Sequence, residues 1–489
     1  MASKLLTKTR YLNGLQCPKL LWVACNNHGR LPETDTVTQH VFDQGNQVGE
    51  LAKQVFPGGI EIPDGNFMGN IRQTRELMDA RRPLFEAGIM ADRLYSRVDI
   101  LVPVEDGSWD IVEVKSTTSV KDNHLEDVAF QKYCCQQTGL DIRKCYLMHL
   151  NNRYIRCGDI DVTGLFTNEE ITEGVNEAGR GISERIDSAL ETIGSIQCPE
   201  VVIGGQCSDP YPCGLTECWD FLPEHNVFTL YRGGKKSLDL LQNGILAINE
   251  IPGDYPLTRV QKLQTKCVTD NASHLDHVAI TDFLDRLEYP LCFMDFETFS
   301  PAVPLFDGMR PYQRIPFQFS VHRVHQKGGL PEHDSFLAAG TDDPRLEFIK
   351  RLIAALGESG SVVVYNQAFE KGVLKELAEA FPKHSAWVDS VSGRMVDLLE
   401  PFRSFHYYNP TQKGSASLKS VLPAVTGYSY EDMEISNGEL ASVLYQSATF
   451  GNIPDEERDK IYDDLEKYCG LDTEGMIEIV NELTKLATD

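Results

Sequence analysis

The stretch PLCFMDFETF at residues 290–299 decides how the second half of this chain folds. It is a continuous apolar run rich in β-forming residues, so we predict a buried strand in an α/β unit. Side chains alternate along a strand with a period of two, which places Asp295 and Glu297 on one face. Two acids there repel each other unless a divalent cation binds between them. The stretch therefore predicts a strand that carries a metal site.

Two later stretches supply side chains that suit the same site. In VVVYNQAFEKG (362–372), Glu370 follows a second apolar strand and stands at the start of a predicted helix. In LEKYCGLDTEGM (465–476), Tyr468 and Asp472 are four residues apart and therefore share one face of a helix. Each motif alone is typical of a helix cap or a surface acid. Together the three stretches offer four carboxylates and a phenol, and carboxylates are ligands that divalent metal ions prefer.

A hairpin is predicted in the first half of the chain. LYSRVDILVPV (94–104) and WDIVEVKS (109–116) have strand composition, and the Asp-Gly pair between them is a turn signal. A three-residue loop at 105–107 sets Asp99 directly opposite Glu113. The hairpin therefore predicts two facing carboxylates.

Lys115 shares one strand face with Glu113, because the two residues are two positions apart. Two carboxylates beside a lysine suit phosphodiester hydrolysis: the acids hold Mg²⁺ or Mn²⁺, and the lysine orients the water or stabilises developing charge. The alternative is a cross-strand salt bridge on a solvated sheet face, which contributes only about 0–1 kcal/mol. The spacing alone leaves both interpretations open.

Two residues between the second and third acidic motifs have uncertain roles. Asp397 is either an additional acid near the metal site or a structural residue. Lys419, in the segment SLK at 417–419, is a candidate phosphate contact, and a solvated helix start is the alternative.

Three cysteines crowd into a loop rich in proline and glycine. Cys207, Cys213 and Cys218 lie within twelve residues, which is metal or cluster spacing. A fourth thiolate is needed, and Cys17 or Cys198 could supply it. Free buried cysteines are the alternative.

Composition limits the class of protein. The chain has 489 residues and a formal net charge of −26, which argues against coating nucleic acid by bulk charge. Acidity does not exclude an enzyme that handles phosphodiesters through metal ions. No apolar run approaches the roughly 18 residues that span a bilayer, and the N-terminus makes a poor secretory signal. We therefore expect a cytoplasmic protein without a membrane partner.

The patterns predict an α/β protein with three regions. Residues 1–220 form a domain that contains the hairpin and the cysteine loop, residues 221–284 form a helical connector, and residues 285–489 form a second domain.

The acidic motifs of the second domain resemble those of the DEDD 3′–5′ exonucleases, tyrosine subclass, which have a ribonuclease H-like fold. The matching motifs are Asp295-x-Glu297, Asn366-x-x-Phe369-Glu370 and Tyr468-x-x-x-Asp472. The resemblance implies that the four carboxylates bind two Mg²⁺ or Mn²⁺ ions and that Tyr468 orients the attacking water. Glu370 stands where that family has aspartate, which keeps the charge on a longer side chain.

The first domain resembles the RecB-like branch of the PD-(D/E)XK nucleases, which have a restriction-endonuclease-like fold. The resemblance implies catalytic roles for Asp99, Glu113 and Lys115, with the two acids as metal ligands. Gln131 is the glutamine expected in the following helix. Cys134 stands where a tyrosine is usual, three residues after that glutamine.

Iron–sulfur nucleases of the same branch, including AddB and the CRISPR-associated exonucleases, carry one cysteine near the N-terminus and three after the nuclease core. The resemblance implies that a [4Fe–4S] cluster is held by four residues: Cys17, Cys207, Cys213 and Cys218. Zinc is the alternative, since both accept four thiolates.

These resemblances imply a metal-dependent nuclease that acts on DNA or RNA ends, with 3′–5′ polarity in the C-terminal domain. The histidine expected upstream in the RecB-like branch is absent after Gly45 and Gly49, although His40 lies nearby and Glu86 is a candidate replacement acid. This departure favours an alternative, a nucleic-acid-binding scaffold in which one or both nuclease-like domains are inactive and the cluster is structural.

Overall fold

A computed structural model of the chain shows a mixed α/β protein, as the sequence predicts, divided into two compact units. Unit 1 comprises Met1–Asp220 and Pro301–Gln313, and unit 2 comprises Phe221–Ser300 and Arg314–Asp489. The structure describes residues 4–63, 65, 67–430 and 433–488.

Unit 1 contains seven described strands and eight α-helices. The strands are β1 (Leu6–Thr7), β2 (Ile60–Glu61), β3 (Leu84–Ala91), β4 (Leu94–Pro103), β5 (Trp109–Lys115), β6 (Ile142–Leu150) and β7 (Phe166–Glu170). The helices are α1 (Lys8–Gln16), α2 (Pro18–Asn26), α3 (Thr36–Lys53), α4 (Phe67–Met78), α5 (Asp122–Gln137), α6 (Val162–Leu165), α7 (Thr172–Ala178) and α8 (Ile182–Gly194).

The unit 1 sheet has the strand order β2-β3-β4-β5-β6-β7, and β1 pairs in parallel with β4. Strands β4 and β5 form the antiparallel hairpin that the Asp-Gly turn predicts, and Ile100 pairs with Val112. The same register sets Asp99 opposite Glu113.

The two faces of strand β5 pack against different helices. Ile111 is buried with Val128 and Phe130 of α5, while Val112 is buried with Val48 of α3. Because Glu113 lies on the same face as Ile111, its carboxylate points toward α5. The hairpin therefore sits between two layers of helices.

Residues 301–313 belong to unit 1, whereas the sequence pattern assigned them to the second domain. Ala302 and Val303 are buried in a cluster with Val48 and Phe85. The Ala302 amide also donates to Gln44 Oε1 at 2.9 Å. The segment joins unit 1 through contacts with residues more than 200 positions away in sequence. A local sequence pattern cannot predict such contacts.

Unit 2 includes the region predicted as a connector. Its helices are α9 (Lys235–Gln242), α10 (Arg259–Asp270), α11 (His277–Leu284), α12 (Arg345–Leu356), α13 (Gln367–Ala380), α14 (Ser385–Gly393), α15 (Glu400–Arg403), α16 (Leu418–Thr426), α17 (Gly438–Phe450) and α18 (Asp455–Thr488). Its strands are β8 (His274–Leu275), β9 (Leu291–Phe299), β10 (Ile315–Val324), β11 (Glu332–Leu337), β12 (Val362–Val364), β13 (Met395–Asp397) and β14 (Tyr407–Tyr408).

The main sheet of unit 2 has the order β11-β10-β9-β12-β13. Strand β10 is antiparallel to both β11 and β9, whereas β12 is parallel to both β9 and β13. Strand β9, the stretch that carries the first acidic motif, is therefore the centre of the sheet.

The alternation along β9 decides which helix meets its acids. Met294 and Phe296 pack against Phe348 of α12, whereas Phe293 packs in a cluster with Met476 of α18. Asp295 continues the face of Phe293 and therefore points to the side of the long helix α18.

Among the helices in the described part of the chain, none has the length and apolar character needed to cross a membrane.

Candidate functional site

Three acids of unit 2 converge where β9 meets α18. One carboxylate oxygen from each of Asp295, Glu297 and Asp472 lies within 4.8 Å of the other two. Glu297 and Asp472 are buried and Asp295 is partly exposed. Within the described residues, this is the group of His, Cys, Asp and Glu side chains whose geometry suits a metal ion.

Basic side chains make no close contact with these three acids in the part of the chain that the structure describes. No lysine, arginine or histidine there forms an ion pair with them, and Lys419 acts on them only through its longer-range charge. Oxygen donors are the ligands that Mg²⁺ and Mn²⁺ prefer. The donor set therefore fits the divalent metals that the exonuclease resemblance implies.

Burial and mutual repulsion keep protons on this group. Burial raises the pKa of Asp295 and of Glu297 well above the usual range, and neighbouring carboxylates raise both further. Burial also raises the pKa of Asp472 to about 6. Because the ionised acids repel each other when no cation is bound, a divalent ion is the natural partner of their charged form.

Polar contacts behind Asp472 hold α18 against β10. Thr473 Oγ1 lies 2.7 Å from Ser320 Oγ and 2.8 Å from His322 Nδ1. His333 Nε2 lies 2.9 Å from Ser320 Oγ, and its ring stacks on His322 at 4.2 Å. All of these residues except His333 are buried. The network fixes the rotation of α18 one residue from an acid of the site.

Glu370 brings a fourth carboxylate toward the group. It lies in the first turn of α13 and is 1% exposed, and its Oε2 atom has no hydrogen-bond partner. Burial raises its pKa to about 9, and the charge of Asp295 adds to this shift. Such a carboxylate is costly to keep without a partner.

Asp397, whose role the sequence left open, makes structural hydrogen bonds to two backbone amides. Its Oδ1 accepts from the amide of Asn366 at 2.9 Å and from that of Leu399 at 3.1 Å. Asn366 has φ 76°, a left-handed conformation that few residues other than glycine adopt. Asp397 thus stabilises the turn that launches α13 and positions Glu370.

Two further side chains reach the acids. The Tyr430 hydroxyl donates to Asp472 Oδ1 at 2.5 Å, and the sequence analysis missed it. The Lys419 ammonium lies 5.2 Å from the ring centre of Tyr468 and 5.7 Å from that of Tyr430. It also donates to the Ser436 carbonyl. Lys419 therefore adds positive charge at the edge of the site without pairing directly with an acid.

Tyr468 lies on α18 one turn before Asp472, and both are buried. Burial raises the pKa of Tyr468 far above its usual value, and Asp472 and Glu297 raise it further. No described residue hydrogen-bonds its hydroxyl. A neutral phenol is thus available at the edge of the carboxylate group.

The predicted residues of unit 1 also meet, but in a different electrostatic setting. Glu113 is fully buried, and its Oε1 atom accepts from Lys115 Nζ at 2.6 Å. Gln131 Nε2 donates to Glu113 Oε2 at 2.7 Å and to Asp127 Oδ1 at 2.9 Å. Asp99 Oδ2 accepts from the Val114 amide at 2.8 Å. These contacts bring together the residues that the RecB-like motifs single out.

Lys8, which no sequence motif marks, completes this network. Its Nζ lies 2.9 Å from Glu113 Oε1, 3.7 Å from Asp99 Oδ1 and 4.0 Å from Asp127 Oδ1. Burial alone lowers the pKa of Lys8, but these three acids raise it well above its usual value. Lys8 therefore remains a cation, 105 residues away in sequence from the glutamate that it contacts.

Glu86 lies beside this group with a strained backbone. Its φ of 58° within a strand is uncommon for a residue other than glycine. Its Oε2 lies 3.0 Å from Arg97 Nε, and burial raises its pKa to about 7. Glu86 and Asp99 line a cavity of about 230 Å³ together with Glu50 of α3. His40 is separate from this cavity lining, and it contacts Gln44.

Four cysteines line a common cavity in unit 1: Cys17, Cys207, Cys213 and Cys218. Burial raises the pKa of the Cys213 thiol, and the other three thiols raise it further, as expected for close neighbours. Cys198, the other candidate, contacts the guanidinium of Arg30 at 3.9 Å instead. No three thiol sulfurs in the described residues lie within 4.8 Å of one another. The donor set fits a group that binds four thiolates.

The residues that sequence reasoning missed share one property. Lys8, Tyr430 and His322 carry no motif of their own and reach the sites only through long-range packing. For His322, the sequence signal that could have been used is the alternation of side chains along β10. This alternation places Gln318, Ser320 and His322 on one face of the strand, the face that meets α18.

Comparison with known proteins finds a family model that matches part of this region of the chain. Residues 292–417 match the model "Domain of unknown function (DUF2779)", which includes Asp295, Glu297 and Glu370 and ends before Asp472. The chain is similar to uncharacterized protein UU173 of Ureaplasma parvum, with 26% identity over 230 residues, 42% of this chain and 33% of that protein. It is also similar to uncharacterized protein MG366 of Mycoplasma genitalium, with 24% identity over 223 residues, 40% of this chain and 32% of that protein. The chain thus spans about a third of the length of the curated relatives it matches.

Proposed function

We propose that this chain is a metal-dependent nuclease whose hydrolytic centre lies in unit 2. The observation that carries the proposal is the convergence of Asp295, Glu297 and Asp472 without an ion-pairing lysine, arginine or histidine among the described residues. Such a group holds divalent ions, and phosphodiester hydrolysis is the reaction for which paired divalent ions on carboxylates are widely used.

The topology of unit 2 supports the exonuclease assignment. The acids stand on the central strand of a five-stranded mixed sheet and on a helix that crosses it. This arrangement is consistent with a ribonuclease H-like fold, which the three acidic motifs imply. The 3′–5′ polarity follows from the same resemblance and is part of the proposal.

The chain's own residues divide the chemical work. When bound, Mg²⁺ or Mn²⁺ would lower the pKa of a coordinated water and neutralise charge on the scissile phosphate. Asp295, Glu297 and Asp472 would hold the ions, with Glu370 completing the set. The neutral Tyr468 phenol would orient the attacking water by a hydrogen bond.

Two residues assist the acids from the edge of the site. Tyr430 donates to Asp472 Oδ1, which lowers the pKa of that acid and fixes the carboxylate plane. Lys419 would draw a phosphate oxygen toward the acids and offset part of their negative charge. Its ammonium is partly buried against aromatic rings, where its charge is weakly screened by solvent.

The cysteine cavity supports a structural cofactor. A single Zn²⁺ binds thiolates at about 2.3 Å in tetrahedral geometry, which sets the sulfurs about 3.8 Å apart. No three of the thiols among the described residues lie within 4.8 Å of one another, which favours a larger group such as a [4Fe–4S] cluster. We propose that Cys17, Cys207, Cys213 and Cys218 hold that cluster and that it links the N-terminal helices to the cysteine loop.

The test is an end-labelled degradation assay on the anaerobically purified full chain. Single-stranded DNA and RNA labelled at the 5′ end are incubated with Mn²⁺, and Asp295→Asn and Lys115→Met are assayed beside the parent. We expect a ladder that shortens from the 3′ end and is lost in Asp295→Asn but retained in Lys115→Met.

A matched control is Asp463→Asn, since Asp463 is an exposed acid of the same helix as Asp472. Equal hydrolysis by the parent and by Asp295→Asn would remove unit 2 from the chemistry. Absence of hydrolysis by the parent, with metal present, would favour the binding-scaffold alternative.

A further inference from the structure

Lys8 places a positive charge among the acids of unit 1, where the RecB-like resemblance implies a divalent metal ion. Its ammonium lies within 4.0 Å of three carboxylates, those of Asp99, Glu113 and Asp127. We infer that Lys8 is the resident cation of this site and that the group of Asp99, Glu113 and Asp127 takes up no divalent ion in the native chain. This inference goes beyond the proposed function and does not rest on it.

The oxygens of Glu113 are already occupied by donors. Oε1 accepts from both Lys8 at 2.9 Å and Lys115 at 2.6 Å, and Oε2 accepts from Gln131 at 2.7 Å. A divalent cation needs about six oxygen ligands and approaches them to about 2.0–2.6 Å. It would therefore have to displace an ammonium and an amide donor from a fully buried carboxylate.

Asp127 has the same character. Its Oδ2 accepts from Lys115 at 2.8 Å and its Oδ1 accepts from Gln131 at 2.9 Å. Asp127 is 3% exposed, so its two oxygens have little access to solvent or to an incoming ion. The second carboxylate of the group is thus paired as completely as Glu113.

The backbone around Lys8 is fixed on both sides. Leu6 is fully buried and pairs with Leu94 in the sheet, while Thr7 caps α1 by accepting from the Arg10 amide. Tyr11, one turn later, is buried and stacks on Phe130 of α5 at 4.9 Å. The ammonium is therefore delivered by an anchored segment, and withdrawing it would require the side chain alone to swing out.

The charge of the group is nearly balanced by the protein itself. Asp99, Glu113 and Asp127 contribute three negative charges, and Lys8 and Lys115 contribute two positive ones. Removing Lys8 leaves the three carboxylates short of two counter-charges rather than one, which is the condition that attracts a divalent cation. The inference therefore predicts that a metal site appears when Lys8 loses its charge.

The test counts bound Mn²⁺ in the full chain by equilibrium dialysis and atomic emission. All samples carry Asp295→Asn, so that the unit 2 centre contributes little. In this background we compare native Lys8 with Lys8→Met, each with and without Glu113→Gln. Lys4→Met is the matched control, because Lys4 is an exposed lysine of the same segment.

We expect Lys8→Met to gain a bound Mn²⁺ ion that Glu113→Gln removes, and Lys4→Met to gain none. With native Lys8, the manganese content should be the same with or without Glu113→Gln. A manganese ion that is lost on Glu113→Gln in the native Lys8 chain would overturn the inference. A folded Lys8→Met chain that gains no manganese would also overturn it.

Folding of Lys8→Met is checked by circular dichroism, and the native Lys8 comparison decides the question even if that variant unfolds. The outcome is separable from the proposed function, which fails when the parent chain shows no hydrolysis dependent on Asp295. Manganese counts at Glu113 are independent of that result.

Discussion

The two units of this protein each gather acids on a sheet, and they differ in what balances the negative charge. In unit 1, Glu113 and its neighbours contact the ammonium groups of Lys8 and Lys115 at 2.6–2.9 Å. In unit 2, Asp295, Glu297 and Asp472 have no cationic partner within 4.0 Å among the described residues. The same residue types therefore produce a closed ion-pair network in one unit and a group of acids without an ion pair in the other.

The difference between the two units indicates that a carboxylate motif does not by itself define a metal site. An internal ammonium keeps its acids ionised, as the pKa of Glu113 below its usual value shows. Acids without such a partner become protonated, as the pKa of about 9 for Glu370 shows. When a divalent ion binds to acids that lack an ammonium partner, it replaces the protons that they hold.

The largest effect is expected for Asp295→Asn, which removes a proposed metal ligand and should lower the hydrolysis rate by roughly a thousandfold or more. The measurement is the initial rate on labelled single strands with saturating Mn²⁺. Asp463→Asn should match the parent. A rate within tenfold of the parent would contradict the assignment of the chemistry to unit 2.

The corresponding change in unit 1, Glu113→Gln, should reduce stability rather than hydrolysis. It leaves the partly buried ammonium groups of Lys8 and Lys115 without their main partner, at a cost of about 3 kcal/mol in the free energy of unfolding. Urea unfolding measures this loss. Glu170→Gln is the control, because Glu170 makes an exposed pair with Lys144 that should contribute less than about 1 kcal/mol. Equal losses in the two variants would show that the buried network contributes no more to the free energy of unfolding than an exposed ion pair does.

Removal of metal should make unit 2 sensitive to pH through Glu370. Its pKa is about 9 in the folded chain and near 4.5 when exposed, so the folded state holds the extra proton between those values. The free energy of unfolding therefore falls as pH rises through this window, by about 2–3 kcal/mol between about pH 6 and pH 8.

Glu370→Gln should abolish this part of the pH dependence. Thermal unfolding in EDTA at the two pH values compares the variant with its parent, and Glu379→Gln, an exposed glutamate of the same helix, serves as the control. A slope unchanged by Glu370→Gln would mean that its carboxylate is ionised in the folded chain.

A smaller effect is expected for Tyr430→Phe. The hydroxyl donates to Asp472 and lowers the pKa of that acid, so its loss should shift the acid limb of the rate profile to higher pH. Hydrolysis should fall several-fold near pH 6 and little near pH 8. The full pH–rate profile is the measurement, with the exposed Tyr428→Phe as control. An identical decrease at every pH would indicate a purely structural role.

The sequence was enough to predict which carboxylates lie together in each unit, because the periodicity of strands and helices is a local property of the chain. The period of two along β9 places Asp295 and Glu297 together, and the spacing of four places Tyr468 with Asp472. The hairpin register that opposes Asp99 to Glu113 likewise follows from three loop residues. These parts of the fold depend on neighbours in the chain and are therefore visible in it.

The partners of those acids could not be predicted in the same way. Lys8 meets Glu113 across 105 residues, and Tyr430 meets Asp472 across 42. Residues 301–313 join unit 1 through packing of Ala302 and Val303 that no local pattern encodes. The charge balance that distinguishes the two units arises from such contacts, so the motifs predicted metal ligands in both halves but could not predict the ammonium that Lys8 brings to unit 1.

Anomalous scattering from crystals of the full chain soaked in Mn²⁺ tests the central claim most directly. A diffraction data set collected at the manganese absorption edge locates each ion without reference to activity. The account predicts manganese between Asp295, Glu297 and Asp472 and none beside Glu113, with the Lys8 ammonium in contact with that carboxylate. Manganese between Asp99 and Glu113 with Lys8 turned away, or an empty unit 2 centre, would contradict it.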